Sequence, residues 1–197
     1  MSFEQIVAFA VFAVVTSITP GPNNIMLTAT GANVGIRRGL PHMFGISLGF
    51  ALMLFLVAAG AGTALLANPD AMRILRIVGI VVLLWLAWKI ATAGRSGDGA
   101  REKPIGFLGA AAFQWVNPKA WLICAGAVGS FLQTDAPSAL PQAALFAAIF
   151  LVAGIPCMMV WLGFGAAMQR VLKSDRAFRN FNIFMGVLIA ATVVVMV

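Results

Sequence analysis

Thr19-Pro20-Gly21-Pro22-Asn23-Asn24 decides how the rest of the chain is read. Apolar residues run from Phe3 to Ile18 before it, and Ile25-Met26-Leu27 resume after it. A continuous helix over 3–32 would be about 45 Å long at 1.5 Å per residue, well beyond the roughly 30 Å of a bilayer core. Two prolines around a glycine account for the excess. Each proline lacks an N–H and its ring collides with the carbonyl four residues back, so the helix has to break or bend here. In lipid, the backbone groups so released need partners from the protein or from a water-lined cavity. Asn23 and Asn24 then stand beside a discontinuous helix near the membrane midplane, which is how secondary transporters build substrate sites.

Composition supports the membrane reading. Of 197 residues, 61% are hydrophobic and 10% charged, against roughly half and a quarter in soluble domains. The expected fold class is all-α: a polytopic membrane protein, one transmembrane domain over residues 1–197. Six hydrophobic stretches are long enough to span, at about 3–32, 40–67, 72–93, 105–132, 141–168 and 178–197. The polar, glycine-rich segment 95–103 reads as a linker joining halves of about 1–94 and 104–197. The net charge of +7 is not arranged as a basic stripe between aromatics, which argues against nucleic acid. It sits in short loops instead. Arg37, Arg38, Lys89, Arg95, Arg101, Lys103, Arg170, Lys173, Arg176 and Arg179 flank the odd-numbered loops, and Arg73 and Arg76 lie opposite. That bias predicts cytoplasmic odd loops and two periplasmic termini. Glu4 precedes the first apolar run without Lys or Arg, so that run reads as a retained span rather than a signal peptide.

The halves echo each other. Each has three spans, an odd number, so a duplication would be inverted across the membrane. The first span breaks at Pro20–Pro22 and the fourth at Asn117-Pro118, while Pro41 and Pro141 open the second and fifth. Paired interrupted segments in matching positions point to a transporter's binding site. Lys119 follows the second break, where a cation is expensive and should face a cavity, a partner or substrate. A snorkelling lysine is the bland alternative. An ammonium here could pair with a substrate carboxylate, with Asn23, Asn24, Gln114 and Asn117 as hydrogen-bonding groups. A helix restarting after Pro22 would add a positive N-terminus.

His42, the only histidine, lies one turn inside the second span. It is a proton-coupling candidate, with an interfacial histidine bonded to a backbone carbonyl as the equal alternative. Gly45 and Gly49 form a small-xxx-small pair that permits close helix approach, within the protomer or between two copies in a homodimer. Cys124 and Cys157 fall in apolar segments and read as packing residues. No nucleophile set, metal cluster or phosphate loop is present, so neither catalysis nor a cofactor is expected.

The motifs Thr19-Pro20-Gly21-Pro22-Asn23-Asn24 and Gln114-Trp115-Val116-Asn117-Pro118-Lys119-Ala120 resemble the LysE/RhtB amino-acid exporters. Trp85-Leu86-Ala87-Trp88-Lys89-Ile90-Ala91, followed by Lys103-Pro104-Ile105, is similar to the cysteine/O-acetylserine exporter branch. The resemblance implies a bacterial inner-membrane exporter of small amino acids or derivatives, driven by a proton gradient. Its substrate-binding residues would be Pro20, Gly21, Pro22, Asn23, Asn24, Gln114, Asn117, Pro118 and Lys119. Many family members carry Asp where this chain has Asn23. A metal-cation exporter of the same superfamily is disfavoured by the lack of acidic or histidine clusters in the spans. A non-transporting scaffold would have little use for a lysine and several asparagines at two matched breaks.

Overall fold

The computed structural model describes residues 1–62, 67–94, 105–133 and 138–194. Among them the chain is all-helical, without a strand. α1 (Phe3–Ile18) opens on a capping box in which Ser2 Oγ accepts from Gln5 N–H at 3.3 Å and Gln5 Oε1 accepts from Ser2 N–H at 2.8 Å. It stops where Pro20 has no N–H with which to continue. α2 (Pro22–Ala58) restarts with Pro22 in its first turn, where a missing N–H does no harm.

α2 is not one rod. At Gly35 the backbone takes φ 76° and ψ 177°, a left-sided conformation that favours glycine. Thr30 Oγ1 lies 2.8 Å from His42 Nδ1, yet twelve residues of straight helix would hold them about 18 Å apart. The chain therefore doubles back at Gly35, and residues 22–34 and 36–58 form a helical hairpin. The expected loop over 33–39 shrinks to this single glycine, because one residue with positive φ is enough to reverse direction. The second apolar stretch, expected to reach 67, leaves helix at Ala58, just before Gly60 with φ 102°. Residues 63–66, and the linker expected at 95–103, fall outside the described residues except for their flanks.

α3 (Pro69–Thr92) is capped by Asn68, whose Oδ1 accepts from Asp70 and Ala71 N–H at 3.1 Å. α4 (Phe107–Phe113) runs into a 3₁₀ turn, Gln114–Val116, and α5 (Pro118–Phe131) restarts after Asn117. α6 (Leu140–Val171) and α7 (Asp175–Val194) complete the chain. Among the described residues four helices, α2, α3, α6 and α7, are long and apolar enough to cross a bilayer, while 3–18 and 107–116 are shorter. The two breaks are what shorten them.

The hairpin of α2 packs most extensively on α6, α3 on α7, α1 on α6 and α4 on α2. Apolar side chains gain little by leaving lipid for protein, so close contact must come from small residues. A side chain at Gly31 would collide with the Leu162 carbonyl, and one at Gly165 with the Thr28 carbonyl. Gly45 and Gly49 admit Phe107, Ala110 and Ala111 of α4 in the same way, so that pair serves packing inside the protomer. An aromatic cluster of Phe9, Phe146 and Phe150, with the Phe9 and Phe146 rings stacked at 4.3 Å, fills one end of the bundle. Lys89 lies 5.0 Å over the exposed Trp85 ring, a cation–π pair at the end of α3.

Candidate functional site

A helix broken inside a bundle leaves carbonyls that need donors. At the first break every carbonyl from Ser17 to Gly21 has one. Ser17 O and Thr19 O accept from Asn24 Nδ2 at 3.0 and 3.1 Å. Ile18 O accepts from Trp161 Nε1 at 3.2 Å. Thr19 O also accepts from Lys119 Nζ at 2.6 Å, Pro20 O lies 3.4 Å from the same ammonium, and Gly21 O accepts from Ile25 N–H at 3.0 Å. Lys119 thus places a positive charge at the C-terminus of α1, where the helix dipole favours it.

The second break has the same anatomy. Asn117 is extended, at φ −84° and ψ 111°, and its Oδ1 caps α5 by accepting from Lys119 N–H at 3.1 Å. Pro118 occupies the first turn of α5 as Pro22 does in α2. Trp121 Nε1 donates to Trp115 O at 2.8 Å. Gly21 is extended at φ −174°, which any residue adopts. Its need for glycine is spatial: a Cβ there would stand 2.8 Å from Lys119 Cδ.

The two breaks meet. Asn23 Nδ2 donates to Gln114 Oε1 at 2.8 Å, and Gln114 Nε2 donates back to Asn23 Oδ1 at 3.2 Å and to Ala110 O at 2.9 Å. Between them lies a cavity of about 50 Å³. Its wall takes Thr16 and Ser17 from the end of α1, Asn23 and Asn24 from the start of α2, and Asn117 and Lys119 from the second break. Ser47, Phe50, Phe150 and Met158 complete much of the rest. Among the described residues Lys119 is the only charged one in this wall. The N-terminus of α2 has no side-chain cap, so its first-turn N–H groups are left for another partner.

The structure divides the residues expected at the site. Asn23, Asn24, Asn117 and Lys119 line the cavity. Gln114 is fully buried outside the wall, its amide group engaged by Asn23 and Ala110, so it positions Asn23. Pro20, Gly21, Pro22 and Pro118 shape the breaks and do not face the cavity. His42 is buried off the cavity and pairs with the Thr30 hydroxyl rather than with a backbone carbonyl. Sequence reasoning missed Trp161, Thr16, Ser17 and Ser47. Only the indole of Trp161, an N–H donor in the middle of a span, offered a signal. It also missed a second polar junction, where Asn182 Nδ2 donates to Ala93 O at 2.9 Å and Asn33 Nδ2 to Asn182 Oδ1 at 3.2 Å. Among the described residues no group of His, Cys, Asp and Glu could hold a metal ion.

The LysE type translocator family matches residues 14–197. A cysteine/O-acetylserine efflux protein of Salmonella choleraesuis (strain SC-B67) is 32% identical over 190 residues, covering 95% of this chain and 92% of its own. The cysteine/O-acetylserine efflux protein of Escherichia coli (strain K12) is 33% identical over 184 residues, covering 92% of each chain. No solved structure matches. With a family match over nearly its full length and relatives aligned from end to end, this chain belongs to the LysE family of translocators.

Proposed function

We propose that this translocator exports a small, neutral amino acid or amino-acid derivative across the bacterial inner membrane by alternating access, in exchange for protons. The family and its efflux relatives mark a transporter rather than an enzyme. The observation that carries the finer reading is the meeting of two broken helices at one polar cavity.

The cavity's chemistry suits an amino acid. About 50 Å³ holds roughly three to five waters, a liquid volume on the order of 100 Å³, which is the scale of a small amino acid. A carboxylate would take the remaining donor of the Lys119 ammonium and the free N–H groups opening α2. Among the described residues no acidic side chain lines the wall, so a cationic side chain would find no partner there, and neutral substrates are favoured.

Six membrane passages account for the helices: α1 with residues 22–34, residues 36–58, α3, α4 through α5, α6, and α7. Two inverted three-helix halves are supported by matched breaks, Gly21-Pro22 and Asn117-Pro118. They are supported again by matched packing, α1 on α6 and α4 on the second arm of α2. Arg37, Arg38, Arg170, Lys173, Arg176 and Arg179 are exposed, and their loops would face the cytoplasm with both termini in the periplasm. The test is efflux of labelled L-cysteine, O-acetyl-L-serine, L-serine, L-glutamate and L-lysine from proteoliposomes under an imposed pH gradient. Neutral compounds should leave fastest. Movement of divalent cations instead, or of nothing, refutes the reading.

A further inference from the structure

His42 is the only histidine in the chain, and it is fully buried. Its Nδ1 lies 2.8 Å from Thr30 Oγ1, across the hairpin that turns at Gly35. Its Nε2 is buried without a hydrogen-bond partner. Such an orphan is rare in a folded protein, and one in a native site calls for a reason. Along the hairpin His42 and Thr30 lie between the turn and the cavity. Asn23 and Asn24 on one arm, and Ile46 and Ser47 on the other, line that cavity one to two turns away. Leu27, Met43, Ile46, Met158 and Leu162 pack together, and Ile46 and Met158 of this cluster also line the cavity.

We propose that His42 Nε2 carries the proton that is exchanged for substrate. The inference rests on the exporter reading above and names its coupling residue. In this proposal Thr30 fixes the ring, with Nδ1–H donating to the hydroxyl oxygen and the lone pair left on Nε2. Thr30 can accept that hydrogen bond whether the ring is neutral or charged, so it holds the imidazole in place throughout. When the hairpin is open to one face of the membrane, Nε2 takes a proton from hydronium, forming an N–H bond as an O–H bond breaks. When it is open to the other face, the imidazolium returns the same proton to water.

Among the described residues no buried carboxylate stands near the ring to trap that charge. Residues 22–34 and α4 carry no titratable side chain. On α6, Cys157 directs its Sγ to Val14 O at 3.9 Å, and Arg170 is exposed near the end of the helix. Arg37 and Arg38 of the turn are exposed, as are Asp175, Arg176 and Arg179 at the start of α7. Across the cavity stands Lys119 of α5, itself a cation. An imidazolium and the ammonium of a bound amino acid would therefore repel each other across a short distance of low dielectric. Proton and substrate exclude one another, which is the condition for exchange rather than cotransport.

The single histidine makes the test direct. Untagged protein labelled with ¹⁵N-histidine in lipid bilayers gives one imidazole, whose ¹⁵N shifts report its tautomer and charge. On titration from acid to neutral pH the ring should pass from charged to neutral. The midpoint should fall when the amino acid that wild type exports is added, and should also move in Thr30→Val. In proteoliposomes, His42→Asn keeps an amide facing Thr30 and should exchange labelled for unlabelled substrate while losing proton counterflow. A ring that stays neutral throughout, or His42→Asn with intact proton counterflow, overturns the assignment. The NMR arm uses wild-type protein, so it decides even if the variant does not fold. If wild type exports none of the compounds, the exporter reading has failed, a result separate from a ring that does not titrate.

Discussion

Replacing Lys119 by Met tests the site most directly, because this lysine caps α1 and, in the proposed function, also holds the substrate carboxylate. Its ammonium donates to Thr19 O at 2.6 Å, and a charged hydrogen bond of that kind contributes about 1.5–3 kcal/mol. Against that loss, Met relieves the burden of a cation at membrane depth, about 2.5–3.5 kcal/mol on insertion scales. The two nearly cancel, so Lys119→Met should fold and insert with a stability change within about 1 kcal/mol. Transport has no such compensation. If the carboxylate loses a charged donor worth about 1.5–3 kcal/mol, the concentration giving half-maximal efflux should rise about ten- to hundredfold. The assay is efflux from proteoliposomes against internal substrate concentration, normalised to folded protein by size-exclusion. Lys119→Arg should recover only part, because the stem lies against Gly21, where a Cβ would stand 2.8 Å from Cδ, and a planar guanidinium needs a wider berth than an ammonium. Wild-type efflux from Lys119→Met, at unchanged half-maximal concentration, would show that the lysine only caps α1. The carboxylate would then rest on the N-terminus of α2 alone.

Three further outcomes follow from the geometry. In a double-mutant cycle, Asn23→Ala and Gln114→Ala should couple by about 1–3 kcal/mol in detergent stability, from two bonds of about 0.6–1.7 kcal/mol each in membrane bundles; additive effects would mean that the amide pair does not tie the breaks together. Gly165→Val should lower the melting temperature or abolish expression, since its side chain would meet the Thr28 carbonyl, whereas Gly163→Ala, with open space around it, should be neutral or slightly stabilising; equal effects would refute the close crossing. A cysteine at Ser174 should resist a membrane-impermeant thiol reagent in intact cells while one at Ser2 reacts, and the reverse pattern would invert the topology.

How far the site could be read from sequence depended on whether the signal was local. Proline chemistry is local, so both breaks stand where Pro20, Pro22 and Pro118 put them. Gly35 was obscured because a helical hairpin needs only one residue of positive φ, and the arginines after it look like an ordinary loop. Gln114 looked like a ligand because an amide in a span must bond to something. That its partner is Asn23, 91 positions away, is tertiary information. The same holds for Trp161, whose indole reaches Ile18 O across 143 positions. The crossing of Gly31 with Gly165 was equally hidden, since a glycine shows no periodicity of its own and only the partner helix reveals what it makes room for.

The residues that would bind substrate are also those that tie the two halves together, and this bears on how the protein could alternate. The exposed end of α1 is held by Asn24 from its own half, but by Trp161 and Lys119 from the other. Asn23 is held by Gln114, again from the other half. A half that rocks must therefore strain or renew bonds at the cavity itself. Substrate can bias that motion only through a differential interaction with the two arrangements. Lys119 offers one: its ammonium satisfies Thr19 O when the cavity is empty, and a carboxylate would draw on the same charge when it is full. A ligand without a carboxylate could fill the space and still leave α1 fastened. Binding and movement would then part company, and neutral amides of the right size, which lack a carboxylate, should occupy the cavity without being exported.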